Sequence, residues 1–486
     1  MKSDTIAAIS TPPGEGAIGI IRLSGSDSLP LALSIFRAGL KNKKKEGGNT
    51  PGGGKDVGGD VVLRPRRLTY GHIVDAGEGI IDEVLICYHP APHTYTREDI
   101  VEINTHGGML LLKEILKLLL QKGARAAEPG EFTRRAYQNG RIDLLQAESI
   151  LSIIEAKSLQ ALKASQRSLN GLLSAEVVAL KESLYTVLAE IEVYLDFLHN
   201  DHDPEDETVS EQMILQNIKR LVHHMNQFEE RSRKGRLWQH GLRVVITGRP
   251  NVGKSSLYNF MLGEERAIVT DIPGTTRDLL SEQISINGLS LRIIDTAGIH
   301  KDGRKDPVEK IGVSYSLKAI EEADLIIFML DASDGITDKD LWIYNNYLND
   351  IEKPLLFLAN KTDLGDKIYE EEFSSVFTEE PLLKMSLVTK EGAQDIFRAL
   401  EEKFYQAAAG SRGEENMIVL QIREEALISR AKGFLQNALR ALEETTPLDL
   451  ITIDLRLAEE ALVELLGEEI REDLLDEIFG RFCIGK

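Results

Sequence analysis

Cysteine is nearly absent: Cys87 and Cys483 are the only two among 486 residues. Two thiols exclude a disulfide scaffold and a Cys-based zinc site, and they suit a reducing compartment. Long apolar runs are missing too. No stretch approaches the roughly 20 residues a membrane span needs, and the N-terminus lacks a secretory apolar region. The expectation is a cytoplasmic protein with no membrane contact. Positive charge is scarce, since 57 Lys and Arg face 78 Asp and Glu for a formal net charge of -21. Such a chain does not coat nucleic acid non-specifically, so RNA would be met by local basic patches or through a partner. What remains, 42% hydrophobic and 28% charged, is ordinary for a soluble protein, at a length that implies two to four domains.

One stretch organises the chain. Gly248-Arg249-Pro250-Asn251-Val252-Gly253-Lys254-Ser255-Ser256 follows an apolar run, Leu242 to Thr247, that reads as a buried strand, and it opens a helical run near Ser255. Strand, GxxxxGK[ST] and helix together make a phosphate cradle. The glycines let backbone N–H groups turn onto phosphate oxygens, Lys254 neutralises the β- and γ-phosphates, and the Ser255 hydroxyl reaches Mg²⁺. Asp295-Thr296-Ala297-Gly298 ends a later strand, where an acid can hold Mg²⁺ through water and the Gly298 N–H can meet the γ-phosphate. Asn360-Lys361-Thr362-Asp363 ends another. Its Asp363 carboxylate accepts both N–H donors on guanine's N1/N2 edge, which adenine lacks. Each motif alone is common; all three in order, at strand ends, specify GTP and disfavour a P-loop kinase or ATPase.

Between the first two motifs lies Thr270-Asp271-Ile272-Pro273-Gly274-Thr275-Thr276-Arg277-Asp278, from which Thr276 is expected to cap Mg²⁺. Ile299 follows Gly298, at the place where Ras-like GTPases carry the Gln that orients the attacking water. An aliphatic side chain cannot do that. Glu309, in the helix start Asp306-Pro307-Val308-Glu309, can act through a bridging water, or it is a solvated first-turn acid favoured by the helix dipole.

The expected fold is multidomain. Residues 1–122 form an α+β domain with strands within Thr5–Ser24, Arg67–Val74, Ile80–Tyr88 and Asp99–Asn104, and a helix over Met109–Gln121. Within it, Lys41 to Asp60 holds seven glycines and five lysines and reads as a mobile loop. Residues 123–240 and 407–486 show helical periodicity, Asp143–His199, about Val209–Ser232 and Glu414–Phe479. They are expected to be one all-helical domain interrupted by an inserted Ras-like P-loop module at 241–406. That module should have strands at 242–247, 282–287, 289–294, 325–330, 354–359 and 381–386, with a hairpin at Asn287-Gly288.

At this point the sequence resembles the MnmE/TrmE family of tRNA-modification GTPases. The resemblance is carried by Gly16 to Gly25, His106-Gly107-Gly108, Glu128 to Ala136, Thr270 to Asp278 and the terminal Phe482-Cys483-Ile484-Gly485-Lys486. It implies a homodimer through N-terminal domains that bind 5-formyl-tetrahydrofolate or a related one-carbon folate, at Arg22, Glu102 and Arg141 with Lys486. It implies an FAD-dependent partner subunit, a heterotetramer, and an aminomethyl-type group of the carboxymethylaminomethyl class placed at C5 of the wobble uridine of certain tRNAs. K⁺ would be held by Asn251, Thr270, Ile272 and Thr275, and Mg²⁺ by Ser255 and Thr276. The nucleotide site would comprise Asn251, Val252, Gly253, Lys254, Ser255 and Ser256, then Thr270, Asp271, Ile272, Pro273, Gly274, Thr275 and Thr276. It would be completed by Asp295, Thr296, Ala297, Gly298, Asn360, Lys361, Asp363, Ser386 and Leu387. Lys254 and Glu309 are the expected catalytic groups. Cys483 is either a nucleophile of the modification step or a small residue in a docked tail. The acidic break His199 to Glu207, the Ser386-Leu387 pair and the Lys41–Asp60 insert depart from the family pattern.

A ribosome-assembly or regulatory GTPase switch is the alternative. A basic RNA-binding tail would favour it, and the acidic, helical C-terminus ending in Cys-Ile-Gly-Lys does not.

Overall fold

Alternation of apolar and polar residues writes the first sheet. In β2 (Gly16–Ser24) and β6 (Ile100–Gly107), Ile21, Leu23, Val101 and Ile103 are buried, while the intervening Arg22 and Glu102 fall on the other face. The computed structural model describes residues 4–38, 63–77, 79–199, 211–263, 281–286, 289–295, 317–349, 351, 353–377, 380–408 and 417–486. These divide into two compact units, residues 1–151 with 463–486, and residues 152–462.

The first unit is built on seven strands ordered β3-β4-β5-β6-β2-β1-β7. The remaining strands are β1 (Ile6–Ile9), β3 (Phe36–Ala38), β4 (Thr69–Val74), β5 (Ile80–His89) and β7 (Arg125–Ala126). All pairs are antiparallel except β1 with β7. Helices α1 (Ser28–Ile35) and α2 (Met109–Gln121) cover one face, packing Ala32, Ile35, Leu112, Ile115 and Leu119 onto Ile21, Ile103 and Ile86. The other face exposes Ile18, Tyr70 and Leu85, the one-sided burial open to antiparallel sheets. Helix α3 (Glu131–Gln138) and the start of α4 (Leu144–Glu155) bury Ala136 and Leu144 against Phe479 and Phe482, which draws the C-terminal segment into this unit. The pattern of the sequence alone sets that segment with the helical residues before it. The short β3, β7 and α3 escape a periodicity search because each is under three helical turns or four strand residues.

In the second unit, the expected helical stretch before the nucleotide module resolves into α5 (Leu159–Leu169), α6 (Leu172–His199) and α7 (Glu211–His240) after the end of α4. Breaks fall at Ser158, whose side chain caps α5 by accepting from Ala161 N, and at Asn170-Gly171. Helix α7 runs eight residues past its expected end at Ser232, because Leu237 and Trp238 enter the core of the next module. Trp238 meets Phe404 edge-on at 4.9 Å.

That module has the strand order β13-β12-β11-β8-β10-β9. Its strands are β8 (Leu242–Gly248), β9 (Ser281–Ile286), β10 (Leu289–Asp295), β11 (Leu325–Asp331), β12 (Leu355–Asn360) and β13 (Leu382–Lys384). Only β9 with β10 is antiparallel, as expected for one antiparallel edge. The apolar runs of β8 and β11 are buried from both sides, because α8 (Lys254–Gly263), α9 (Asp338–Tyr347), α10 (Glu370–Val376) and α11 (Ala393–Ala408) cover both faces. Residues Lys41–Asp60, the acidic break 200–207 and the Asn287-Gly288 hairpin lie outside the described residues.

After the module the chain returns to α7. Helix α12 (Ile422–Glu443) pairs Lys432 with Glu229, and Glu443 takes Lys219 Nζ at 2.9 Å; α13 (Leu448–Leu466) reaches α6 through Arg456–Glu192 at 3.0 Å. Helices before and after the inserted module therefore form one packed group. Its tightest point is Gly235 in α7, where an added Cβ would lie 1.9 Å from the Ile418 carbonyl oxygen. Gly235→Ala should cost about 1–3 kcal/mol through overpacking. Urea unfolding of the full chain should show it, and an unchanged midpoint would mean that the 417–420 segment yields freely.

Candidate functional site

The nucleotide motifs begin at the carboxyl ends of β8, β10 and β12, the usual ligand edge of a parallel sheet. Asn251 (φ 66°) and Gly253 (φ 108°) bend the loop after β8 through the left-handed region. Gly253 is required for space as well, since a Cβ there would lie 2.4 Å from Asn360 Nδ2. Asn360 uses that space. Its Nδ2 donates to Val252 O at 2.8 Å, and its Oδ1 accepts from Leu387 N at 3.2 Å. One amide thus clasps the phosphate loop and the loop after β13. The buried Lys254 Nζ donates to the carbonyls of Gly248 (3.0 Å) and Arg249 (2.9 Å), so its charge lies on the loop. Ser255 and Ser256 are exposed at the start of α8.

On the base side, Ser386 Oγ donates to Asp363 Oδ1 at 2.6 Å and accepts from Thr389 N at 3.1 Å, which fixes the carboxylate's rotamer. Lys361 (φ 70°) reaches Asp331 Oδ2 at 2.6 Å. Burial would raise the Asp331 carboxyl, but bonds from Lys361 and Ser333 outweigh it and hold the group below its ordinary range. Asp295 closes β10. Thr270, Asp271, Ile272, Pro273, Gly274, Thr275, Thr276, Thr296, Ala297, Gly298 and Glu309 lie outside the described residues. The residues present fit a nucleotide and its Mg²⁺: a glycine-dependent cradle, a lysine on it, hydroxyls at a helix start and an oriented carboxylate facing them in the sheet order.

The first unit holds a second candidate site. A cavity of about 590 Å³ brings together Arg22, Glu102 and Arg141, three residues expected to act as one, with His89, His93 and Tyr95 among its other walls. Arg22 and Glu102 are cross-strand partners on β2 and β6, and Arg22 Nη2 reaches Glu102 Oε1 at 2.8 Å. Arg141 donates to Tyr95 O at 3.1 Å and lies 4.6 Å over the Tyr95 ring. Burial, only partly offset by Thr133 and the arginines, holds the Tyr95 phenol above its ordinary range. Cys87 stands across from Glu102 on β5, where burial and then that carboxylate push the thiol up and keep it neutral. Lys486 is not among the cavity's lining residues.

Lys486 belongs to a docked tail. Ile484 bridges Pro129, Phe482 is buried, and Gly485 (φ 92°) passes so close to β1 that a Cβ would lie 2.5 Å from Ile9 O. This explains why Gly is needed there without any appeal to chemistry. Cys483 beside it is exposed. His89, His93, Tyr95, Arg249 and Asp331 were not singled out by sequence. An acid ending an otherwise apolar strand, as in β11, was the available signal for Asp331; the histidines carry no spacing that marks them.

Two family models match: the MnmE helical domain over residues 144–483, and the GTP-binding protein TrmE N-terminus over residues 5–141. A tRNA modification GTPase MnmE of Alkaliphilus oremlandii is 42% identical over 484 residues, covering 99% of each chain. Those of Acetivibrio thermocellus (100% of each chain) and Thermotoga maritima (99% of this chain and 100% of its own) are each 41% identical. Full-length likeness of this extent, over a chain whose nucleotide loops are assembled as above, identifies a GTPase: the chain belongs to the MnmE family of tRNA-modification GTPases.

Proposed function

We propose that this chain is a K⁺-activated GTP hydrolase that acts with an FAD-dependent subunit on tRNA. The product would be an aminomethyl-type group of the carboxymethylaminomethyl class at C5 of the wobble uridine. The observation that supports this most is the pairing of guanine-nucleotide loops with a separate cavity in which Arg22, Glu102 and Arg141 converge. The cavity suits a folate. Glu102 can accept from a pterin's N–H edge, Arg141 and Arg22 can face carboxylates of a glutamate tail, and Tyr95 offers an aromatic wall. Lys486 and Cys483 remain proposed contributors from the docked tail.

A homodimer through the first unit accords with its open sheet face. Tyr70 and Leu85 are cross-strand partners there, and with Ile18 they leave apolar surface exposed beside the cavity's strands. In the nucleotide site, Lys254 and the loop amides hold phosphate, Ser255 and Thr276 hold Mg²⁺, and Asp363 selects guanine. The Asn251 side chain, with Thr270, Ile272 and Thr275, would hold K⁺ where a positive charge lowers the barrier to phosphoryl transfer. Because Ile299 cannot orient water, Glu309 takes that role. No described helix is long and apolar enough to cross a membrane.

Hydrolysis should run much faster in K⁺ than in Na⁺, and Glu309→Ala should cut turnover by on the order of 10²-fold or more while sparing GDP affinity. Equal rates in both salts, or normal turnover in that variant, would remove the respective claim. Calorimetry should detect 5-formyl-tetrahydrofolate binding that Glu102→Ala abolishes without unfolding; binding that survives in both Glu102→Ala and Arg22→Ala sinks the folate reading. Mass spectrometry of wobble nucleosides tests the product. A deletion strain should lose the modified uridine, and an unchanged nucleoside profile overturns the tRNA assignment.

A further inference from the structure

Arg249 lies in the phosphate loop and Lys361 in the base loop, and the motifs leave the anchoring of both side chains unexplained. Asp331, the last residue of β11, stands between them. Its Oδ2 receives Lys361 Nζ at 2.6 Å and lies 3.8 Å from Arg249 Nη2. Its Oδ1 is fixed by Ser333, from N at 3.0 Å and from Oγ at 2.6 Å. The carboxylate side chain is only 3% exposed, so it is not a solvated strand-end acid. Strand register sets Asp331 beside Asn360, the residue whose amide clasps the phosphate loop.

Arg249 is drawn to the same seam. Its Nη2 donates to Asp334 Oδ2 at 2.9 Å, and its Nε lies 3.4 Å from Asp340 Oδ2. That Nε and Asp340 Oδ1 are buried without a hydrogen-bond partner among the described residues. Among these residues the Arg249 side chain thus makes one hydrogen bond, to Asp334, and is drawn toward Asp331 and Asp340 by charge alone. Lys361, for its part, occupies a left-handed backbone conformation that a non-glycine residue keeps only when its surroundings fix it. The Asp331 carboxylate faces two cations, each from a different nucleotide loop.

We propose that Asp331 is a positioning residue for guanine nucleotides: it anchors Lys361 in the base loop and, through Arg249, ties the phosphate loop to the same point. Loss of either loop's hold then loosens the other, and nucleotide release depends on the Asp331 charge. The inference rests on residues 248–256 and 360–363 being the phosphate and base loops. It concerns nucleotide release rather than the chemical step.

Stopped-flow release of a fluorescent GDP from the full-length protein tests it. Asp331→Asn keeps the shape and the Ser333 contacts but removes the charge. Release should accelerate about tenfold or more, the weight of one charge-assisted hydrogen bond, and KM for GTP should change by more than kcat. Arg249→Met should accelerate release as well, and the double variant should show less than the product of the two effects. A folded Asp331→Asn with normal GDP release, even at a lowered melting temperature, overturns the proposal, as do fully multiplicative effects. Should Asp331→Asn not fold, Arg249→Met decides alone, and unchanged release rejects the coupling. Asp363→Asn, run in parallel, separates the two levels. If it fails to move preference from GDP toward xanthosine diphosphate, the base-loop assignment itself falls.

Discussion

A single side-chain amide sets the geometry of the nucleotide module. Asn360 can bond Val252 O and Leu387 N only if three loops leave the sheet within one amide's reach. That demand explains features that otherwise look separate. The strands β8, β11 and β12 must be parallel and adjacent, so their runs are buried from both faces and nearly all apolar. Residue 253 must lack a Cβ, because the Asn360 amide fills that space. A buried amide with unmet bonds would cost about 1–3 kcal/mol, so the clasp and the loop conformation enforce each other.

The first unit solves a different problem with a sheet of the opposite kind. Antiparallel pairing lets one face take α1 and α2 while the other remains free to carry Arg22, Glu102 and the cavity. Period-two alternation does the sorting, since each charged residue sits between two core residues on its own strand. Site and core are thus interleaved along the same strands. A one-residue slip in β2 or β6 would exchange them, which makes the register of these strands a condition of the site as well as of stability.

How much of this was legible in the sequence depended on whether the signal was local. The P-loop, the strand ends carrying Asp295 and Asn360, and the 13 residues of α2 announce themselves by short-range spacing. So did the antiparallel edge of the nucleotide sheet. What escaped was set by distant partners. Helix α7 continues past Ser232 because Trp238 finds Phe404, more than 160 residues on, and no window contains both. Residues 463–486 join the first unit through Phe479 and Phe482, whose partners lie near residue 140. Arg22 and Glu102 came from the family resemblance; nothing in their flanking residues tells a cavity pair from a surface ion pair. The seam around Asp331 joins four separate segments, and only three-dimensional proximity reveals it.

The Arg22–Glu102 pair is a weak device for stability. Its side chains are 24% and 27% exposed, and ion pairs that meet water contribute about 0–1 kcal/mol. An apolar cross-strand pair on the same rung would contribute a similar 0.2–1 kcal/mol, with no desolvation to offset. Folding therefore gives little reason for charge at this rung. The surroundings give one. Among the described residues, Glu102 is the only acidic side chain in the cavity wall, and Cys87 on the adjacent strand is held neutral. Three arginines (Arg22, Arg97 and Arg141) and two histidines stand around that single carboxylate, an excess of cationic and neutral donors that suits a ligand bearing both an N–H edge and carboxylates of its own. A pair arranged for stability would be closed and buried, whereas this one lies open on a cavity of small-molecule size.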